Sequence, residues 1–312
     1  MRILMFGRGV IATIYGQAFQ QAGHDVDHHV RPGRAAEYGD HLELDVVDGR
    51  RGPLGRRSAT SYRAELRESV HPDDGYDLVV LSVGHHRLRE AAAFLAPRIG
   101  AATVVVLGNV WEEPLDAVAP MPADQVVFGF PGAGGGFGDD GVLHGGVLRS
   151  LTLAAPGPGQ NRRGLEARLA FRRAGFVVRD EPDMRGWLWL HFVLDAGMFS
   201  EALHQGGLSA MIGNRRALRD AFRTSRELLP VVQARGVDLS RHRTTSFPAR
   251  FPRLTGTMLA GATRLVPIAR ASLAGHGHPN AAEPRAVIDD TLRTARELGI
   301  ATPRLQRATE AR

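Results

Sequence analysis

Three observations predict an α/β fold with a second, all-helical domain. Up to about residue 182, short β-rich runs alternate with helical ones, the pattern of a parallel, doubly wound sheet. Beyond that point the β-rich runs give way to helical tracts. The segment GRGVIA at 7–12 stands between the first β-rich run and the first helical one. A length of 312 residues suits two domains of ~100–200 residues each, and the expected boundaries are 1–182 and 183–312.

Taken in order, residues 2–6 read as a buried strand, 10–22 as a helix closed by Gly23, and 25–30 as the next strand. Strands follow at 77–82, 103–107 and 125–128, with a helix at 88–95. Residues 148–153, helical 164–174 and 176–178 extend the sheet. The second domain has helices at 187–203 and 215–235, the latter containing Pro230, then a long tract at 251–273. The last helix, 284–298, carries Val287, Ile288, Leu292, Ala295 and Leu298 on one face and ends at Gly299. No repeat of 20–50 residues is visible.

Composition excludes several function classes. Hydrophobic residues are 43% and charged residues 23%, as in ordinary globular proteins. There is no cysteine, so thiol nucleophiles, disulfides and Cys-ligated zinc are excluded. All 39 basic residues are arginine, which removes Schiff-base and ammonium chemistry. Arginine pairs at 50–51, 56–57, 162–163, 172–173 and 215–216 are scattered among acidic residues, and no nucleic-acid motif accompanies them. No run approaches the ~18 apolar residues of a membrane span, and the first residues lack a signal-peptide pattern. The expectation is a cytoplasmic protein that binds neither nucleic acid nor membrane.

Gly7-Arg8-Gly9-Val10-Ile11-Ala12 is a G-x-G-x-x-A fingerprint of the Rossmann type. Gly7 allows a tight turn, Gly9 lets the backbone approach a pyrophosphate, and Ala12 permits close helix–strand packing. The helix N-terminus then supplies N–H groups and a positive dipole. At the end of the second strand an NAD site calls for an acid to accept from the ribose 2′-OH. Arg31 stands there instead and offers a guanidinium fork to a 2′-phosphate, which favours NADPH, with Arg34 assisting; an ordinary exposed arginine is the alternative. A second glycine cluster at 132–138 leads into a strand, not a helix, and is read as a mobile connection. The histidine pair 28 and 29 faces opposite sides of a strand, so no metal is expected there. His276 and His278, shortly before Glu283, are expected in a loop, solvated or facing the cleft.

The ordered set of GRGVIA (7–12), Arg31, DLVVLSV (77–83), VVVLGN (104–109), WLHFVLDAG (189–197) and AEP…GIATP (282–303) resembles the ketopantoate reductase (2-dehydropantoate 2-reductase) family over nearly the whole chain. The resemblance implies an NADPH-dependent reductase of a 2-keto acid, with a Rossmann domain and a helical domain for substrate and dimerisation. It implies that Asn109 lies near nicotinamide and substrate, and that Val83 lies beside the cofactor. Glu283 matches the acid that opens the family's last helix, and Ser272 its substrate-binding serine. The resemblance, with the amount of apolar helix in the second half, also implies a homodimer.

Agreement stops at 189–197. The family pattern of Lys, Asn four residues on and Asn four further is His191, Asp195 and Phe199 here. The family lysine after strand 77–83 is replaced by Gly84, followed by His85, His86 and Arg87. Reducing a ketone needs a proton donor for the developing alkoxide, and His191 is the candidate. His191 and Asp195 are i and i+4 on one helix face, where a carboxylate favours imidazolium. The same pair also reads as a structural contact. Phe199 adds apolar volume, so a bulkier or less polar carbonyl than ketopantoate is expected. The alternatives are an imine or ketone reductase of a specialised pathway and a non-catalytic NADP(H)-binding regulator.

Overall fold

The computed structural model describes residues 1–52, 54–157, 161–274 and 282–310. Its first half contains β1 (Arg2–Phe6), α1 (Val10–Gln21), β2 (Asp25–His29), α2 (Arg34–Tyr38), β3 (His41–Asp48), β4 (Arg56–Arg63), β5 (Glu65–Arg67) and β6 (Leu78–Leu81). There follow α3 (Leu88–Leu95), β7 (Thr103–Leu107), α4 (Pro114–Ala117), β8 (Val126–Phe130), β9 (Ala133–Phe137), β10 (Leu143–Val147), β11 (Ser150–Ala154), α5 (Asn161–Arg173) and β12 (Val177–Glu181). The remainder is helical: α6 (Met184–Gln205), α7 (Arg215–Glu227), α8 (Leu229–Ala234), α9 (Arg243–Arg250), α10 (Pro252–Leu265), α11 (Pro267–Ala274), α12 (Ala282–Glu297) and α13 (Pro303–Glu310).

The chain divides into two compact units. One comprises residues 1–108 and 112–184, the other residues 109–111 and 185–312. In the first, an eight-stranded sheet runs β12-β11-β8-β7-β6-β1-β2-β5. Every neighbouring pair is parallel except β8–β11. The central strands carry continuous apolar side chains because they are buried on both faces; all four residues of β6 are at 0% exposure.

A second sheet, β4-β3-β10-β9, belongs to the same unit and was not expected from the sequence. The glycine cluster at 132–138 is its strand β9, paired antiparallel with β10 from Ala133–Val147 to Phe137–Leu143. The reading of this cluster as a mobile connection is therefore incorrect. Its glycines answer a steric demand: a Cβ on Gly135 would stand 2.4 Å from the His144 carbonyl oxygen and 3.2 Å from Val10 Cγ1. On Gly132 it would lie 1.8 Å from the Ser150 carbonyl oxygen.

In the helical unit, α6 is apolar on most of its circumference, as a helix buried by neighbours should be. Leu188, Trp189, Leu190, Phe192, Val193 and Ala196 are all buried. All but Leu188 join Val231, Val287, Ile288, Leu292 and Leu305 in one core. The expected helix 215–235 is two helices, α7 and α8, because Pro230 in the first turn of α8 cannot donate back into α7. The tract 251–273 is likewise split, at Val266 before Pro267. Among the described residues no helix is long and apolar enough to cross a membrane.

Candidate active site

The glycine turn between β1 and α1 has the conformation its sequence requires. Gly7 has φ +106°, a region that favours glycine, and its N–H donates to the His29 carbonyl oxygen at 2.9 Å. Gly9 is the N-cap of α1, and among the described residues no side chain caps that end. A Cβ placed on Gly9 would meet nothing within 4 Å. An uncapped N-terminus of a twelve-residue helix, open in front of a glycine, fits a dinucleotide pyrophosphate. Ala12 is buried in the core, while Val10 and Ile11 are half-buried and pack against it. The Arg8 guanidinium turns toward the chain after α2, donating to the Tyr38 and His41 carbonyl oxygens at 3.2 and 3.3 Å.

At the tip of β2, Arg31 is exposed, and among the described residues it has no ion-pair partner. Arg34 is engaged with Glu37. Of the two arginines, Arg31 is thus the one available to an incoming anion. Val83 is half-buried just after β6, its carbonyl oxygen 3.5 Å from the Cβ that Gly108 lacks.

Beneath the glycine turn lies a contact that the sequence reading did not find. His28 is fully buried, with Nδ1 2.9 Å from the Gly7 carbonyl oxygen and Nε2 2.8 Å from the Tyr62 hydroxyl. Burial pushes its pKa down to about 4, only partly offset by the bond to Gly7. Its alternation with His29 was legible; its partner on β4 was not, because β4 itself was missed.

In the helical unit, Asn109, Asp195 and His191 come together. The Asn109 Nδ2 donates to Asp195 Oδ2 at 2.9 Å. The other carboxylate oxygen, Oδ1, faces His191 Nε2 at 3.7 Å, longer than a hydrogen bond. The His191 ring stacks on Trp187, with centroids 5.0 Å apart and planes within 8°. Each side chain of the His191–Asp195 pair keeps about a quarter of its surface exposed, whereas Asn109 is buried.

The segment carrying Asn109 is fixed by Trp111, which sequence reasoning also passed over. Its Nε1 donates to Thr294 Oγ1 at 2.9 Å, and its carbonyl oxygen accepts from Arg235 at 2.6 Å. Its ring stacks on Phe192 at 4.6 Å, and the Arg235 guanidinium lies 4.2 Å from its centroid and 3.6 Å from that of Trp189. A tryptophan two residues past the expected Asn was the available signal.

Glu283 is half-buried in the first turn of α12. Ser272 is half-buried on α11, with its hydroxyl oxygen enclosed. Phe199 packs against two apolar clusters, one around Trp189 and one around Leu218, so its ring contributes to the packing of α6. His276 and His278 lie outside the described residues.

Residues 3–154 match the family described as ketopantoate reductase PanE/ApbA. No curated protein sequence matches the chain. Among solved structures, a D-mandelate dehydrogenase in complex with NADH and anilino(oxo)acetate has a TM-score of 0.71 at 14% identity, covering 99% of this chain and 96% of that one. A 2-dehydropantoate 2-reductase from Geobacter metallireducens has a TM-score of 0.64 at 20% identity, with coverages of 99% and 98%. A dimeric ketopantoate reductase from Staphylococcus aureus has a TM-score of 0.65 at 15% identity, with coverages of 99% and 96%. Residues 3–154 thus match the ketopantoate reductase PanE/ApbA family, and the chain as a whole has the ketopantoate reductase fold.

Proposed function

We propose that the protein is an NADPH-dependent reductase of a 2-keto acid or a related carbonyl, with His191 in the position of the family's lysine. The observation that carries this reading is the Asp195 carboxylate, which accepts from Asn109 and faces His191. A bound nicotinamide dinucleotide would supply the hydride. Gly7, Gly9 and the first turn of α1 would hold its pyrophosphate, with Arg8, Val10, Ile11, Ala12 and Val83 lining the site and Arg31 reading a 2′-phosphate.

The protein's own part is proton delivery and orientation. A ketone oxygen that gains negative charge needs a proton and a hydrogen-bond donor at that moment. His191 as imidazolium supplies both. Asp195 stabilises that cation through its field and orients Asn109 by accepting from its amide. Glu283, Ser272 and Phe199 complete the substrate contacts in this reading. The protein acts as a homodimer in solution, as the S. aureus relative is described.

The test is loss of NADPH absorbance with ketopantoate, a panel of other 2-keto acids and bulkier ketones, repeated with NADH. Oxidation of NADPH in preference to NADH by at least one keto acid is expected; no oxidation with any of them overturns the reading. His191→Ala should lower turnover by about 100-fold or more, the usual scale for removing a general acid, with little change in NADPH affinity. Unchanged turnover would remove His191 from the chemistry.

A further inference from the structure

We infer that His28 is a positioning residue for the cofactor turn, acting through a hydrogen bond from its Nδ1–H to the Gly7 carbonyl oxygen. The inference rests on the dinucleotide reading of that turn. A carbonyl oxygen only accepts, so the contact at 2.9 Å requires the proton on Nδ1. In the neutral ring Nε2 is then an acceptor, and the Tyr62 hydroxyl donates to it at 2.8 Å. Both ring nitrogens are thereby used, and the tautomer is fixed by its partners.

This arrangement ties three elements to the turn. His28 lies on β2, directly beside Met5 of β1 in the sheet register. Tyr62 lies on β4 of the second sheet and is itself 1% exposed. The ring occupies space opened by α1: a Cβ on Gly16 would stand 2.6 Å from His28 Nε2 and 2.9 Å from the Tyr62 hydroxyl oxygen. Gly16 is a mid-helix glycine with a packing reason, which is the usual explanation for tolerating its helix penalty. The second sheet therefore reaches the glycine turn through one buried histidine. Gly7 is at φ +106°, a conformation that glycine adopts but does not by itself enforce. A donor aimed at its carbonyl oxygen restricts the peptide that leads into Arg8 and Gly9.

The experiment compares NADPH binding to the full-length protein and to three variants by fluorescence titration. His28→Leu removes both contacts and should weaken binding about fivefold or more, the scale of one lost hydrogen bond. His28→Asn keeps an N–H where Nδ1 stood, and should bind within about threefold of the unsubstituted protein. Tyr62→Phe keeps the donor to Gly7 and should leave affinity unchanged while lowering the melting temperature. Equal weakening by Leu and Asn, or no weakening by Leu, overturns the inference.

If His28→Leu fails to fold, the Asn and Tyr62 variants and the ring tautomer still decide. Nitrogen-15 NMR of the unsubstituted protein should show His28 protonated at Nδ1, and a proton on Nε2 instead overturns the assignment. A failure to bind either NADPH or NADH sinks the dinucleotide reading and this inference together. Binding that is indifferent to His28 sinks only the inference.

Discussion

At the scale of single residues, the buried His28 gives the protein a pH dependence that can be worked out in sign. Its folded pKa is about 4, against an ordinary value of 6.5. The folded state therefore disfavours the protonated ring, and the unfolded chain binds more protons between those two values. The stabilisation is fully present above about pH 6.5 and declines as pH falls toward about 4, by up to about 3 kcal/mol. His24 and His29 are also shifted down, chiefly by burial, and push in the same direction. Unfolding in denaturant at about pH 7 and about pH 5 should show a larger loss of stability in the unsubstituted protein than in His28→Asn. Identical losses would mean that His28 is solvated. At the candidate active site the residue-level logic is different. Asp195 is partly exposed and contacts both neighbours, so it can serve orientation without having to be buried as a lone charge.

At the scale of elements, close approach is where glycine becomes decisive. Gly197 lies on α6 opposite α7, and a Cβ there would meet Ser225 Oγ at 2.1 Å and the Ala221 carbonyl oxygen at 2.5 Å. The two helices would have to separate to admit a methyl group. Gly197→Ala should therefore cost about 1–3 kcal/mol in spite of alanine's better helix propensity, measurable as a lowered denaturation midpoint. An unchanged or raised midpoint would contradict the packing. The same steric logic explains which elements the sequence revealed. Strands β1, β6 and β7 are continuous apolar runs buried on both faces, and their pattern is unmistakable. Strand β4, RRSATSYR, is polar and mostly exposed, with Thr60 and Tyr62 as its only β-branched and aromatic residues, and β9 is largely glycine; neither is rich in the residues that mark a strand. Two of the four strands of the second sheet were illegible for that reason, and with β4 went the partner of His28. The i, i+4 relation of His191 and Asp195 was legible because it depends on one helix alone. The contact of Asp195 with Asn109 joins positions 86 residues apart, and only the family resemblance pointed to it.

At the scale of the whole molecule, the chain order and the structural units do not coincide. Residues 109–111 follow the sheet strand β7 in sequence, yet they group with the helical unit, while residues 112–184 return to the first. Asn109 thus groups with the helices, and Trp111 does most of the tying. It is 5% exposed and sits in the same apolar core as Phe192, Val232 and Leu292. Its indole N–H reaches Thr294 on α12, its ring stacks on Phe192 of α6, and Arg235 binds both its carbonyl oxygen and its face. The helical unit therefore completes its core with a side chain from the first half of the chain. Trp111→Ala should destabilise it by about 3–5 kcal/mol, the range for truncating a large buried aromatic. The prediction is specific in place as well as size. Hydrogen exchange on the full-length protein should accelerate in α6 and α12, where Trp111 makes its contacts, while amides of β1, β6 and β7 keep their protection through local openings of the helices. Turnover should fall as well, because the substitution releases the backbone that carries Asn109. Acceleration spread equally through the sheet would mean that the two units unfold as one, and unchanged exchange in α6 would mean that Trp111 is dispensable to the core it fills.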